Sequence, residues 1–162
     1  MELRDATPDD LPGILSIYND VIAHSTAIYI SEPVDLTDRR AWFEARRQAG
    51  YPVLVMAEGR DVLGFGSFGD WRAMPGYAWT VEHTVHVRAD RRGRGVGRAI
   101  VATLVERARE MGKHVILCSI DADNAASRAL HQSLGFEPAG FHREVARKFD
   151  RWLDMVFMER RL

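Results

Sequence analysis

Cysteine is nearly absent: Cys118 is the only one in 162 residues. A lone thiol excludes an internal disulfide and a cysteine-rich zinc site. Long apolar runs are missing too. The longest aliphatic stretch, Val53 to Ala57, falls far short of the roughly 20 residues that cross a bilayer. Neither sign of charge is in excess, with 22 Lys+Arg against 23 Asp+Glu and a net charge of −1. That disfavours a wholesale polyanion binder but leaves room for a local basic patch. The histidines, at 24, 83, 86, 114, 131 and 142, show no ligand spacing such as His-Glu-x-x-His, so no metal is expected. The first residues, Met1-Glu2-Leu3-Arg4-Asp5, lack the basic start and apolar core of a signal peptide. Repeats, low-complexity tracts and linkers do not occur. What is present is ordinary for a folded domain, 46% hydrophobic and 28% charged residues. One domain over residues 1–162 is expected, cytoplasmic, with no membrane or nucleic-acid partner.

Periodicity sets the elements. Glu2 to Ala6 reads as a strand. Thr7-Pro8-Asp9-Asp10 reads as a helix start with Thr7 as cap, and Leu11, Ile14, Leu15, Tyr18, Val21 and Ile22 continue it at helical spacing. A second helix covers Leu36 to Gln48, capped by Thr37 or Asp38, with Ala41, Trp42 and Ala45 as its inner stripe. Strands follow at Val53–Glu58 and Val62–Gly69, then a loop over Asp70–Tyr77 and a long strand over Ala78–Val87. Val96, Ile100, Val101, Leu104, Val105, Ala108 and Met111 share one helix face, which Gly112 ends. Val115–Ile120 is uniformly apolar, as in a strand buried on both faces, and its Cys118 reads as buried and inert. A short helix, Ala125–Leu134, and strands over Phe141–Lys148 and Leu153–Glu159 complete an α/β chain. It has a single mixed sheet with helices on both faces.

The chemistry begins at Arg91-Arg92-Gly93-Arg94-Gly95-Val96-Gly97-Arg98, between a strand and a helix. Glycines there let a ligand approach the main chain, and free N–H groups at a helix start attract an anion such as a pyrophosphate. The turn carries no acidic residue. It lacks the Gly-Lys-Ser/Thr of a Walker loop, and its G-x-G-x-G spacing is not the dinucleotide fingerprint.

With its neighbours the turn resembles the acyl-coenzyme A loop of the GNAT superfamily of N-acetyltransferases, whose pattern Q/R-x-x-G-x-G/A is met by Arg92, Gly95 and Gly97. The likeness extends through Phe68–Arg72, Trp79–Val87, Asn124–Ser127, Leu130–Phe136 and Lys148–Asp154. These segments are similar to the phosphinothricin acetyltransferases, and closer still to bacterial relatives acting on methionine sulfoximine and methionine sulfone. The resemblance implies a mostly antiparallel GNAT sheet, acetyl-CoA as co-substrate and a homodimer. It implies that the backbone of Val85, His86 and Val87 pairs with the pantetheine arm. Arg92, Gly93, Arg94, Gly95, Val96, Gly97 and Arg98 would hold the pyrophosphate, and Asn124, Ser127 and Ser133 would lie along the cofactor. Glu82 and His131 would be catalytic, and Trp71, Arg72, Pro75, Gly76 and Tyr77 would face the acceptor. Four positions depart from the relatives: Met74 replaces an aromatic, Pro75 an acidic residue, Tyr29 a tryptophan and Asp150 a glycine.

Residue chemistry supports those roles. An amine attacks a thioester only as the free base, so a carboxylate such as Glu82 is needed to take a proton, directly or through water. His131 can protonate the departing thiolate or contact the cofactor or a water. Arg72 can clamp a carboxylate, while Trp71, Tyr77, Trp79 and Tyr29 can wall an apolar pocket. The expected activity is acetylation of the α-amino group of a small amino-acid analogue. Acetylation of a peptide N-terminus, nucleic-acid binding by the arginine turn and a CoA sensor are the alternatives.

Overall fold

A computed structural model describes all residues, 1–162. Seven strands alternate with four helices: β1 Glu2–Asp5, α1 Leu11–His24, α2 Leu36–Gln48, β2 Val53–Glu58, β3 Asp61–Asp70, β4 Thr80–Val87, α3 Val96–Glu110, β5 Val115–Asp121, α4 Ala125–Ser133, β6 Glu137–Lys148 and β7 Arg151–Arg161. The sheet order is β1-β2-β3-β4-β5-β7-β6. Only β4 and β5 run parallel; every other pair is antiparallel. This is the mixed, mostly antiparallel sheet that the sequence leads one to expect. No helix is long and apolar enough to cross a membrane.

Helices cover both faces. The apolar stripe of α3, from Val96 through Ile100 and Leu104 to Ala108, packs with Leu54, Val81, Ile116 and Met158 of the sheet. Leu11, Ile14 and Ile17 of α1 and Phe43 of α2 pack on the opposite face against Val53, Val55 and Phe65. Each such side chain, fully buried, contributes about 1.5–3 kcal/mol. The approach of α3 to β3 is so close that side chains are excluded. A Cβ on Gly66 would lie 2.6 Å from Ile100 Cγ2, and one on Gly64 2.9 Å from Val96 Cγ1. Two glycines in a central strand therefore set the height of α3, and with it the position of its first turn.

Several local expectations are refined. Thr7 is the N-cap residue, as expected, but its hydroxyl donates rather than accepts. Asp10 instead accepts from the Thr7 amide at 2.7 Å and hydroxyl at 3.1 Å, while Arg4 grips the same carboxylate, because a charged acceptor outcompetes a hydroxyl. The cap of α2 is Asp35, which accepts from the Asp38 amide at 2.9 Å. Its inner face is Phe43 and Arg39, with Trp42 packed beside them as expected, while Ala41 and Ala45 are exposed. Arg39 is held there by the Tyr18 ring, 3.9 Å from its guanidinium carbon. The 70–79 segment also contains a 3-10 turn at Pro75–Tyr77, and β6 starts earlier than its apolar residues suggest, at Glu137.

The β6–β7 connection is the two-residue turn Phe149-Asp150, between the paired Lys148 and Arg151. Both turn residues have positive φ, 49° and 58°, the geometry for which Asn-Gly is preferred. The double variant Phe149→Asn/Asp150→Gly should therefore gain about 1 kcal/mol, and roughly 2–4 °C in Tm. Thermal unfolding measures it, and a lowered midpoint would show that the turn is not strained.

Candidate active site

The parallel pair β4–β5 is short. Thr80, Val81 and Glu82 pair with Val115, Ile116 and Leu117, and the pairing stops there. Both strands continue, β4 to Val87 and β5 to Asp121. On its other side β4 remains paired with β3 along Val81–Val87. Residues 83–87 thus present one unpaired edge, and the seam between the strands opens into a cavity of about 170 Å³. His83, Thr84, Val85 and His86 line it from β4, and Cys118, Ser119, Ile120 and Asp121 from β5. An unpaired β-edge beside a cavity is a template for an extended ligand.

The glycine turn lies at the far end of that edge. Gly93 and Gly95 have φ of 72° and 82°, and a Cβ at either would meet nothing within 4 Å. Positive φ, not crowding, selects glycine at both, and it leaves the main chain open to a ligand. Gly95 is the N-cap of α3, whose first turn contains no acid. The first amides of a fifteen-residue helix have no intrahelical acceptors and sit at its positive end. Arg92, Arg94 and Arg98 are exposed around them. Arg98 also donates to the Ser133 hydroxyl at 2.6 Å, and Arg92 to the Val87 carbonyl at 3.2 Å. Gly97 faces Val87 and Leu130 at 3.4–3.5 Å, so it serves packing.

Alternation places consecutive residues of β4 on opposite faces. His86 packs on Tyr18 of α1 and on Phe65; Glu82, an even number of residues away, shares that face. Ser119 of β5 donates to Glu82 Oε1 at 2.7 Å across the seam. This leaves the second carboxylate oxygen for another partner. His83 points the other way, stacked on His131 of α4 at 5.1 Å between centroids. His131 Nδ1 lies 2.7 Å from the Ser127 carbonyl oxygen. A carbonyl only accepts, so Nδ1 carries the proton and Nε2 a lone pair. Burial holds the His131 pKa below its ordinary value and pushes His83 down to about 3. His131 is therefore neutral at rest, and its free nitrogen accepts rather than donates. His131 Nε2 and both nitrogens of His83 are buried without any partner. Beside them Cys118 is buried, its thiol pushed up to about 12 chiefly by that burial and hence unreactive, in line with the sequence reading.

A second cavity, about 350 Å³, opens on the Glu82 face, with Leu117 and Phe157 among its apolar residues and Arg72, His142 and Glu159 as polar ones. Arg72 is braced by Trp71 and Tyr77, 4.6 and 5.8 Å from their ring centroids. Trp71 and Arg72 line this cavity and Tyr29 the smaller one. Pro75, Gly76 and Tyr77 line neither cavity, and Trp79 is 60% exposed. Asn124 caps α4, its Oδ1 accepting from the Ser127 amide at 3.0 Å, so its amide NH₂ is the group left to donate. Ser119, Thr84, Asp121 and Ala27 were not anticipated. They acquire their places from the β4 and β5 registers and from the α1–α2 connection, none of which leaves a motif at these positions.

The sequence profile of the acetyltransferase (GNAT) family matches residues 14–136. The chain belongs to that family. It is 51% identical to the L-methionine sulfoximine/L-methionine sulfone acetyltransferase of Pseudomonas aeruginosa, over 97% of this chain and 92% of that protein. A phosphinothricin acetyltransferase of Sinorhizobium meliloti, solved in complex with acetyl-CoA, superposes with a TM-score of 0.96 at 32% identity, over 99% of this chain and 88% of that one. A ribosomal-protein-alanine N-acetyltransferase of Brucella melitensis gives a TM-score of 0.98 at 44% identity, with both chains fully covered. This GNAT acetyltransferase thus has acetyl-CoA as its acyl donor. Its open β4 edge, the glycine-capped α3 terminus and an orphaned buried nitrogen at the seam suit an extended, diphosphate-bearing thioester.

The buried histidines make folding of this acetyltransferase pH-dependent. Burial lowers His83 to about 3 and His86 to about 4, against 6.5 in the unfolded chain. Below pH 6.5 the unfolded state takes up protons that the folded state refuses. Stability is then complete above pH 6.5 and is lost as the pH falls toward 4. At pH 5 each histidine should cost about 2 kcal/mol. Urea unfolding at pH 7 and pH 5 measures the loss, and His86→Gln should flatten the slope.

Proposed function

We propose that this GNAT acetyltransferase moves the acetyl group of acetyl-CoA to the α-amino group of a small amino-acid analogue of the methionine sulfoximine, methionine sulfone or phosphinothricin type. The observation that carries this reading is the placement of Glu82. It is the last residue of β4 paired with β5, between the two cavities without lining either, and its carboxylate is held from one side by Ser119. Acetyl-CoA supplies a thioester whose carbonyl an amine can attack. The β4 edge at Val85, His86 and Val87 holds its arm, the amides and arginines of residues 92–98 hold its diphosphate, and Asn124, Ser127 and Ser133 flank it.

The acceptor arrives as an ammonium, since an α-amine has a pKa near ~8. Glu82 Oε2 accepts the proton through a water, which frees the lone pair. Arg72 takes an anionic group of the acceptor, its guanidinium pre-oriented by two aromatic rings. His131, with a lone pair at Nε2, contacts the acyl carrier or a water beside the sulfur; as the C–S bond breaks the coenzyme leaves as a thiolate, and the second proton that the nitrogen loses on becoming an amide passes through water to that sulfur. Holding amine and thioester together supplies most of the acceleration. The 162 residues act as one catalytic unit in the cytoplasm. A homodimer is supported by the outer hairpin β6–β7, which exposes Phe141, Val145 and Trp152 at 52, 52 and 60%.

Glu82→Gln should lower turnover by about a hundredfold or more, with acetyl-CoA affinity within about twofold of wild type. Thiol release is followed with methionine sulfone, methionine sulfoximine, phosphinothricin, ordinary amino acids and alanine-ended peptides. A preference for peptides would overturn the acceptor assignment, and unchanged turnover would remove Glu82 from the mechanism. Light scattering should give about twice the 18.4 kDa chain mass.

A further inference from the structure

Lys148 carries its charge in an unusual place. It is 4% exposed, and no carboxylate pairs with it. Its ammonium donates instead to three backbone carbonyl oxygens, those of Ile22, Ser25 and Ile28, each at 2.7 Å. Ile22 lies in the last turn of α1 and Ser25 is its C-cap, where carbonyls lack intrahelical donors and the helix end is negative. A lysine from a strand more than a hundred residues later in the chain thus closes α1 and folds the segment after it into a hook.

The other end of the same hairpin turn grips a second connection. Arg151 donates to Asp123 Oδ2 at 3.2 Å and lies 3.9 Å from Asp121 Oδ2. Asp121, itself buried, accepts from the Thr26 hydroxyl and, at 2.9 Å, from the Asp123 amide. The turn over residues 148–151 therefore ties the α1–α2 connection to the β5–α4 connection. These two adjoining segments both line the seam cavity, one through Ala27 and Tyr29 and the other through Asp121 and Asn124.

We propose that Lys148 is a positioning residue: by gathering the α1–α2 connection it places Tyr29 and Ala27 as the wall of the seam cavity at which the acceptor's amine meets the acyl end of the carrier, the arm and diphosphate of the carrier being held elsewhere, by the β4 edge and the α3 terminus. Lys148 touches neither reactant. A bare helix end at Ile22 would let residues 23–29 swing away from the seam, while the open β4 edge and the α3 terminus, anchored by their own core, would stay in place. Losing Lys148 should therefore separate acceptor binding from acetyl-CoA binding.

Lys148→Met keeps the length of the side chain and removes the charge. Amide hydrogen exchange of the unliganded enzyme should accelerate about tenfold or more at residues 23–29 and stay within about twofold across α3. With methionine sulfone, the kinetic arm resting on the acceptor reading above, acceptor KM should rise about tenfold while acetyl-CoA KM stays within about twofold. Unchanged exchange at 23–29, or a parallel rise of both KM values, would overturn the proposal. If Lys148→Met does not fold, Thr26→Val cuts only the tie to Asp121. It should raise exchange at 23–29 and acceptor KM by about threefold each, and no change in either would overturn the proposal. Should the wild-type enzyme accept none of the amino-acid analogues, the acceptor reading fails while the exchange measurement still decides the role of Lys148.

Discussion

The structure depends on two strands that stop pairing. Beyond Glu82 and Leu117, β4 and β5 no longer exchange hydrogen bonds, yet each stays fixed by its other neighbour, β3 and β7 respectively. Backbone polar groups away from water need partners, so the edge at 83–87 is stable only next to solvent or a ligand. A strand-like ligand, an amide-bearing pantetheine arm for example, satisfies that edge in the way a further strand would. The seam also fixes where chemistry can occur, since residues from both faces of the sheet, His83 and Thr84 among them, line its cavity.

From that seam the site divides by pleat. Glu82 faces α1 and α2, and His83 faces α4, although they are neighbours in sequence. A proton-accepting carboxylate therefore stands on the acceptor side, and the imidazole pair on the side of the acyl carrier. Second contacts determine what each group can do. Ser119 occupies one oxygen of Glu82, and the Ser127 carbonyl fixes the proton of His131 on Nδ1. The second contact changes the reading of His131: a histidine there can protonate the thiolate or contact the cofactor or a water, and the hydrogen bond makes its free nitrogen an acceptor.

Much of this was legible in the sequence, and unevenly so. The α3 helix and its glycine turn were readable because periodicity and positive-φ glycines are local signals; Val96 through Ala108 fall on the inner face as spacing predicts. The first cap is legible in its position, Thr7, but not in its bonding, where the Asp10 carboxylate takes the hydrogen bonds. In α2 the inward Trp42 follows from spacing, whereas Arg39, buried on a tyrosine face, does not, because that contact is made by the fold and not by a pattern. Glu82 and His131 were located by resemblance, but Ser119, Asp121 and Lys148 were not. Their partners lie 37, 95 and 120–126 residues away, and no window of sequence holds both members of such a pair.

The groups that cost stability concentrate at the same seam. His83 and His131 leave three ring nitrogens buried without partners, at a cost of order 1–3 kcal/mol each. A chain selected for stability alone would zip β4 and β5 to their ends and fill the space with aliphatic side chains. Here the opposite occurs: the core is closed on either side by α1, α2 and α3, and the unpaired edge meets the unpartnered nitrogens of His83 and His131 at one cavity. A ligand that supplies partners to those nitrogens gains hydrogen bonds that the chain itself does not make there, so the same polar atoms that add nothing to the core add to the hold on an acyl carrier.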